Sequence, residues 1–263
     1  MFFRIILFLL FASTTTFAKD VVTIGTFPYP PYHTEEGGFL NDFYEAIFKA
    51  VNTKVKFVHL PLRRSEVSFL KGKVDLFSSH VLISRDNINL TDRLDILKFS
   101  PSFFFLKTKG DFTNLKSLKD FVCGVIQNTP YTKLYEANSI KLNYLKDPET
   151  LVKMTILERI TAFESTFLTG VNYIQKNKMV SKFDYFVFDV LSSGPASLKS
   201  NEKGVELLGL VDKGYKLIVE NGELINILEK YWGSRNIPRA ILPHDLKHLG
   251  VDQPVLKMIP LSI

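Results

Sequence analysis

The stretch TIGTFPYPPYHTEEGGFLNDFYEAI, residues 23–47, decides how the chain folds. A short apolar run stops at a segment that holds Tyr29, Tyr32 and three prolines. An acidic loop with two glycines follows, and apolar residues then recur with the spacing of an amphipathic helix. Strand–helix–strand units place ligands at the carboxyl ends of their strands. The stretch therefore predicts two aromatic rings on a proline-stiffened backbone at such a strand end.

Residues 1–18 have the pattern of an export signal. Arg4 precedes an apolar run over residues 5–12, and Thr16-Phe17-Ala18 carries small side chains where signal peptidase requires them. The apolar run is too short to span a bilayer comfortably. The sequence therefore predicts cleavage after Ala18 and a soluble periplasmic protein.

Composition narrows the class of protein further. The 263 residues include 33 basic and 27 acidic ones, and the lysines are spread along the chain. This distribution favours solubility and a mild preference for anions, and it argues against a nucleic-acid groove. Cys123 is the single cysteine, so no intrachain disulfide can form, and its apolar neighbours indicate a buried side chain. We expect a monomer.

After the leader, strand patterns alternate with helix patterns, which predicts an α/β fold with mostly parallel sheets. A first set has strands over 21–27, 55–61 and 73–83 and helices over 42–52 and 63–72. A second set follows residue 110, with strands over 121–127, 140–145, 159–165 and 183–190 and helices over 147–157 and 168–178. Helices over 204–220 and 223–232 close the pattern. The tail after Gly233 has four prolines and little periodicity, which predicts surface packing.

Catalytic motifs with a defined spacing are absent from the sequence. It contains no G-x-S-x-G, no H-E-x-x-H, no C-x-x-C and no glycine-rich phosphate loop. His244 and His248 have the spacing of metal ligands on one helix face, but a proline precedes them and no acidic cluster lies beyond Asp245. The sequence predicts a solvated turn there, with no metal, cofactor or catalytic residue.

Polar and aromatic side chains collect at the predicted strand ends, and a proline starts a helix after the first strand of the second set. Each feature alone has an ordinary structural explanation, because prolines end strands and arginines are solvated. Together they predict the two rims of one cleft. The residues concerned are Tyr29, Tyr32, Arg64, Ser79, His80, Asn128 and Thr129.

The opening stretch resembles the start of the solute-binding proteins that bind amino acids for ATP-driven importers, in which a strand, PPF, an acidic glycine loop, GF and a helix follow one another. PLRRSEVSFLKGKVD, residues 61–75, is similar to the next family segment, with Pro61, Arg64, Gly72 and Asp75 at matching positions. SLKDFVCGVIQNT and LVDKGYKLIVENGELINILEKYWG resemble two later segments, with Asn128 replacing a glycine.

Two departures from the family pattern leave alternatives open. Arg93 has the family spacing from Phe99, but residues 85–92 separate it from Ser84, so either Arg85 or Arg93 faces the cleft. The family also holds the ligand ammonium with an aspartate five residues after another aspartate. Asp184 and Asp189 have that spacing, whereas TILERITAFES, residues 155–165, leaves the length that the later elements need. In this second register Thr161 and Thr166 replace the two aspartates, and Glu164 is the nearest acid.

The resemblance implies a two-lobed fold of the periplasmic-binding-protein type, each lobe a mostly parallel sheet flanked by helices. Residues 19–106 and 192–263 would form lobe 1, residues 107–191 lobe 2, and two strands near 99–107 and 183–198 the hinge. It implies hinge closure on a small polar, carboxylate-bearing solute for delivery to an ABC permease. The ligand contacts would be Tyr29, Tyr32, Arg64, Ser79, His80, Arg93, Asn128, Thr129 and Glu164.

Two other functions stay open on the same fold. One is a dehydratase-like enzyme that uses Glu164 or His80 as general acid. The other is a module that reports ligand binding to a membrane-bound sensor instead of a transporter.

Overall fold

Two five-stranded sheets make up the frame of the computed structural model, which describes residues 21–84, 86–127, 129, 131–252 and 254–256. The first sheet has the order β2 (Val55–His59), β1 (Val22–Thr26), β3 (Leu76–Phe77), β12 (Ala196–Leu198) and β4 (Thr91–Arg93). β1 is parallel to β2 and β3, whereas β12 is antiparallel to β3 and β4.

The second sheet repeats this plan. Its order is β10 (Phe183–Val187), β6 (Pro101–Leu106), β9 (Ala162–Thr166), β7 (Val122–Ile126) and β8 (Lys141–Leu145). β7 is parallel to β8 and β9, and β6 is antiparallel to β9 and β10. Each sheet thus contains a three-stranded parallel unit, which confirms the predicted α/β class.

Helices follow the strands as the sequence pattern predicts. They are α1 (Phe39–Ala50), α2 (Leu62–Leu70), α3 (Thr132–Ala137), α4 (Pro148–Ile156), α5 (Phe167–Lys176), α6 (Glu202–Glu220) and α7 (Glu223–Trp232). α1, α6 and α7 pack on one another beside the first sheet, and α4 and α5 pack together on β9.

The chain crosses between the sheets twice, and the crossing strands pair with each other. β5 (Leu97–Phe99) runs on into β6, and β11 (Leu191–Ser193) connects β10 to β12. β5 and β11 are antiparallel, with Phe99 opposite Leu191. This pair confirms the two-lobed fold with a two-strand connection.

The start of α1 and the extent of the third strand are two of the boundaries that differ from the sequence prediction. α1 begins at Phe39 instead of residue 42, because the N–H groups of Phe39 and Leu40 donate to the carbonyls of Pro31 and Tyr32. Gly38 permits this approach, with φ 148° and a Cβ position only 2.6 Å from the Tyr32 carbonyl oxygen. The third strand comprises only Leu76–Phe77, and a 3-10 turn at His80–Leu82 follows it.

The tail after Gly233 is not confined to the surface, contrary to the prediction. Ile237 and Leu242 are 1% and 0% exposed and belong to the main core. The short turns Arg239–Ile241 and His244–Leu249 are 3-10 turns, so buried residues do not recur with the period of an α-helix. Helical periodicity in the sequence therefore does not reveal that this segment contributes to the core.

Gly214 and Gly209, both in α6, allow a matched test of the packing between α6 and α1. A Cβ on Gly214 would lie 2.3 Å from the carbonyl oxygen of Ile47 in α1, whereas a Cβ on Gly209 would meet nothing within 4 Å. Alanine favours the helix over glycine by about 0.5–1 kcal/mol at either position. We expect Gly209→Ala to be neutral or stabilising.

Gly214→Ala should instead lower the free energy of unfolding by about 1–3 kcal/mol, because overpacking forces the two helices apart. Urea unfolding of both variants measures the difference. Equal values for the two variants would contradict the close approach of α6 to α1.

Candidate functional site

The segments that follow β1 and β9, one strand from each sheet, meet at their carboxyl ends. Tyr29 follows the end of β1, and its hydroxyl lies 3.0 Å from the hydroxyl of Thr166, the last residue of β9. The Thr169 hydroxyl in α5 donates to the carbonyl oxygen of Pro30 at 3.0 Å. We use the term cleft for the surfaces that meet along these contacts.

The two tyrosines of the opening stretch have different surroundings. Their rings stack with centroids 5.2 Å apart at an angle of 14°. Tyr32 is 1% exposed and makes an edge contact with Phe99 in β5, whereas Tyr29 keeps partial exposure at the cleft. Burial raises the pKa of Tyr29 to about 12, against the opposing effect of its bond with Thr166. Its hydroxyl is therefore a neutral hydrogen-bonding group.

Glu164 places a carboxyl group at the second sheet's side of the cleft. It lies on β9 opposite Phe103, and the Thr129 hydroxyl donates to it at 3.4 Å. Burial raises the pKa of Glu164 to about 7, although the bond from Thr129 lowers it in part. The carboxyl also raises the pKa of Tyr29, so the two groups are electrostatically coupled across the cleft.

Ser79 and His80 lie against the connection between the lobes. The Ser79 hydroxyl bonds with that of Ser193 in β11 at 2.9 Å, and both side chains are buried. The ring of His80 bonds through Nε2 to Asp95 at 2.7 Å, and its backbone N–H donates to the Gly194 carbonyl. Burial lowers the pKa of His80, with the bond to Asp95 acting in the opposite direction. These predicted ligand contacts are therefore engaged with the connecting segments.

Arg64 and Arg93 are both exposed, in the first turn of α2 and at the end of β4. Within the described ranges, neither guanidinium forms an ion pair with a carboxylate. Arg63, which precedes Arg64 in the chain, forms an ion pair with Glu66 at 3.1 Å. Arg85 and Asn128, the remaining predicted contacts, lie outside the described residues.

Glu66 is a polar centre that the sequence analysis missed. It is 3% exposed, and its carboxylate accepts from the backbone and hydroxyl of Ser84 and from the Asn87 amide. Burial alone would raise the pKa of Glu66, but these hydrogen bonds together lower it. Glu66 thus holds the segment after the third strand against α2. An acid that caps a distant loop leaves no spacing signal in the sequence.

The two candidate registers for the ammonium position are separated in space. Asp189, beyond β10, is exposed and accepts from the Tyr131 hydroxyl at 3.0 Å, and Asp184 accepts from the N–H of Tyr185. It is β9 that meets Tyr29, through Thr166. This arrangement supports the register in which Thr166 takes the second position and Glu164 is the nearer acid.

Within the described ranges, no group of three or more histidine, cysteine, aspartate or glutamate residues is arranged to hold a metal ion. No helix in the described part of the chain has the length and apolarity to cross a membrane.

The chain matches the family described as bacterial extracellular solute-binding proteins, family 3, over residues 21–234. It belongs to this family, and its fold is that of the type II periplasmic binding proteins. A search of curated proteins found no match.

Similar solved structures include a histidine kinase sensor domain with similarity to periplasmic binding proteins, at 15% identity and a TM-score of 0.65 over 81% of this chain and 96% of that one. An ABC uptake transporter substrate binding protein from Streptococcus pneumoniae, with bound histidine, has 17% identity and a TM-score of 0.63 over 81% and 92%. The GluR0 ligand-binding core from Nostoc punctiforme, with L-glutamate, has 15% identity and a TM-score of 0.63 over 81% and 99%. At these identities the likeness shows the fold.

Glu164→Gln should change how the stability of the protein depends on pH. The carboxyl has a pKa of about 7 in the folded protein against a usual value of 4.5, so the folded state keeps a proton that the unfolded chain loses. Its contribution to the free energy of unfolding is therefore complete below pH 4.5 and is lost as the pH rises towards 7.

The free energy of unfolding of Glu164→Gln relative to the unmodified protein should accordingly rise across this range and level off above it. The slope is at most about 1.4 kcal/mol per pH unit. Urea unfolding between pH 4 and pH 8 measures it, with Glu136→Gln on exposed α3 as the matched control. A difference that does not vary with pH would contradict the raised pKa of this carboxyl.

Proposed function

We propose that the protein is exported to the periplasm and there binds a small polar solute with a carboxylate group, such as an amino acid. Residues 19–106 and 192–263 form one lobe and residues 107–191 the other, with the solute between them. The observation that carries the proposal is the direct approach of the two strand ends, Tyr29 to Thr166, within a chain of the solute-binding family. In such α/β frames the carboxyl ends of the strands bind the ligand.

Arg64 and Arg93 are the groups that bind the solute's carboxylate. Both are exposed cations that lack a carboxylate partner among the described residues, and a guanidinium can donate two parallel hydrogen bonds to a carboxylate. Arg63, by comparison, is already paired with Glu66. The hydroxyl of Thr129 adds a neutral donor from the other lobe.

Glu164 receives a cationic group of the solute. Its carboxyl is held by the Thr129 hydroxyl at the long distance of 3.4 Å and has a pKa of about 7, so its ionised form is poorly stabilised. An ammonium beside it would favour ionisation. A solute that carries both a carboxylate and an ammonium therefore suits the two sides of the cleft.

Hinge movement about β5 and β11 opens and closes the cleft. The bonds between Tyr29 and Thr166 and between Thr169 and Pro30 join neutral groups, and each such bond stabilises the contact by only about 0.5–1.5 kcal/mol. Contacts of this size can be made and broken as a solute enters and leaves. Tyr32, buried at the base of the cleft, supports Tyr29 from behind.

The partner that we propose first is an ABC permease, to which the protein delivers the solute. Support comes from the family and from the likeness to a transporter protein of Streptococcus pneumoniae. Reporting to a sensor is the second candidate, favoured by the likeness to a histidine kinase sensor domain. Neighbouring genes that encode a permease with an ATPase, or a sensor kinase, separate the two.

Binding without catalysis fits the placement of the two candidate acids. His80 is bonded to Asp95 beside the connecting strands, and Glu164 lies on the opposite lobe, so the two do not form one catalytic pair. A bound amino acid should therefore be recovered unaltered after long incubation. Conversion that stops in Glu164→Gln would instead place a dehydratase-like activity first.

A thermal-shift screen over amino acids and other small carboxylates tests the proposal directly. A solute that binds the folded state alone raises the melting temperature in proportion to the logarithm of its concentration above Kd. We expect a zwitterionic amino acid to give the largest shift. Carboxylates without an amino group should give smaller ones, because they leave Glu164 without a cationic partner.

Arg64→Ala should weaken binding of the best solute from that screen by on the order of a hundredfold at unchanged fold stability. Truncating one partner of a desolvated charge pair costs roughly 2–5 kcal/mol, whereas loss of an exposed rim charge costs little. Arg63→Ala is the matched control, because Arg63 neighbours Arg64 in α2 and bonds to Glu66. Calorimetry measures both variants, and equal, small effects would remove Arg64 from the cleft.

A further inference from the structure

The segment after α7 is fastened to the first lobe through Asn236. This side chain is 2% exposed, and its amide donates to the carbonyl of Trp232, at the end of α7, at 3.0 Å. The same amide group makes two hydrogen bonds with the backbone of Val255. Asn236 Nδ2 donates to the Val255 carbonyl at 3.0 Å, and the Val255 N–H donates to Asn236 Oδ1 at 2.7 Å. Val255 is therefore held to α7 by a side chain that acts like a strand partner.

Pro254, the residue before Val255, is bound to the second lobe. The hydroxyl of Tyr185, in β10, donates to the carbonyl of Pro254. Tyr185 is 3% exposed, and its ring packs on Phe104 of β6 and Phe167 of α5. Pro254 is itself buried. Pro254 is thus bound to β10 of the second sheet, whereas Val255 is bound to Asn236, which follows α7.

Hydrogen bonds and an ion pair join the two ends of the chain between Ile237 and Asp252. Arg239 N–H donates to the Val251 carbonyl at 2.7 Å, and Val251 N–H donates to the Ile237 carbonyl at 2.8 Å. The Arg239 guanidinium pairs with Asp252 at 2.7 Å, and the turn Arg239–Ile241 packs along β5. These contacts hold residues 237–252 beside the connecting strand β5.

We propose that Pro254 and Val255 form a strap that restrains rotation of the lobes about the β5–β11 connection. Successive Cα atoms are 3.8 Å apart, so the strap cannot lengthen when one lobe turns relative to the other. One of its two attachments must break. Val255 has two hydrogen bonds to Asn236 and Pro254 has one to Tyr185, so the bond to Tyr185 is the one that opens.

The strap favours the arrangement in which Tyr29 meets Thr166, because both sets of contacts exist together in this structure. It raises the free energy of any opened arrangement by the loss of a buried hydrogen bond and of the packing around it. The family match ends at residue 234, so the strap lies outside the part of this chain that the family shares. The strap therefore lowers the fraction of molecules in an opened arrangement, and this effect does not depend on the identity of the solute.

The test measures the distance between the lobes in solution with no solute added. Spin labels are attached at Glu35→Cys in the first lobe and Lys133→Cys in the second, both exposed positions. Cys123 is 0% exposed, and burial raises the pKa of its thiol to about 12, so it does not react with the label. Pulsed dipolar spectroscopy then gives the distribution of distances between the labels.

Tyr185→Phe, which removes only the hydroxyl, should add a population at a longer distance or enlarge it several-fold. A chain that ends at Asp252 should do the same, whereas a chain that ends at Leu256 keeps the strap and should match the full chain. Tyr231→Phe is the matched control, because it removes a buried hydroxyl bonded to Asp42 within the first lobe. Urea unfolding confirms that each variant is folded.

Distance distributions that are the same in the full chain and in Tyr185→Phe would overturn the strap. A shift of the distances in Tyr231→Phe equal to that in Tyr185→Phe would also overturn it. Equal shifts in the chains that end at Asp252 and at Leu256 would do the same. Because no solute is present, none of these results depends on the proposed function.

Discussion

The packing of Tyr32 between Tyr29 and Phe99 is the interaction on which the two halves of the molecule depend. Phe99 belongs to the connecting strand β5, and Tyr29 meets the second sheet at Thr166. Burying aromatic rings of this size contributes more to stability than any polar contact nearby, and their stacked and edge-on arrangements add to it. The strand end, the connection and the cleft are therefore positioned by one group of rings.

Around this apolar base, neutral and ionisable groups have different surroundings. The contacts of Tyr29 with Thr166 and of Thr169 with Pro30 are made by hydroxyls and a backbone carbonyl, which carry no charge. Glu164 is partly exposed and has the Thr129 hydroxyl as its partner, and Arg64 and Arg93 are exposed. Neutral hydrogen bonds of this kind stabilise a contact only weakly. In the proposed function, the charged groups bind a solute that carries opposite charges.

Much of the frame was predictable, because the signals for it are local. Strand and helix patterns in residues 21–232 identified the α/β class, and the helix Glu223–Trp232 was predicted with its observed bounds. Elements that depend on distant partners were not predictable. Beyond the short third strand, the His80 N–H donates to the carbonyl of Gly194. α1 starts early because the carbonyls of Pro31 and Tyr32 accept hydrogen bonds from its first residues. Pairing between residues far apart in the chain leaves no periodicity.

The sequence by itself determined the order of strands and helices, the aromatic strand end and the candidate arginines, because hydrophobic spacing and turn residues act over a few positions. Only the tertiary structure decided that β9 faces Tyr29, that Ser79 and His80 lie against the connection, and that Glu66 holds a loop. It also decided that the segment after Gly233 is part of the core and joins both lobes. These outcomes depend on burial and on hydrogen bonds between remote residues, which exist only once the chain has folded.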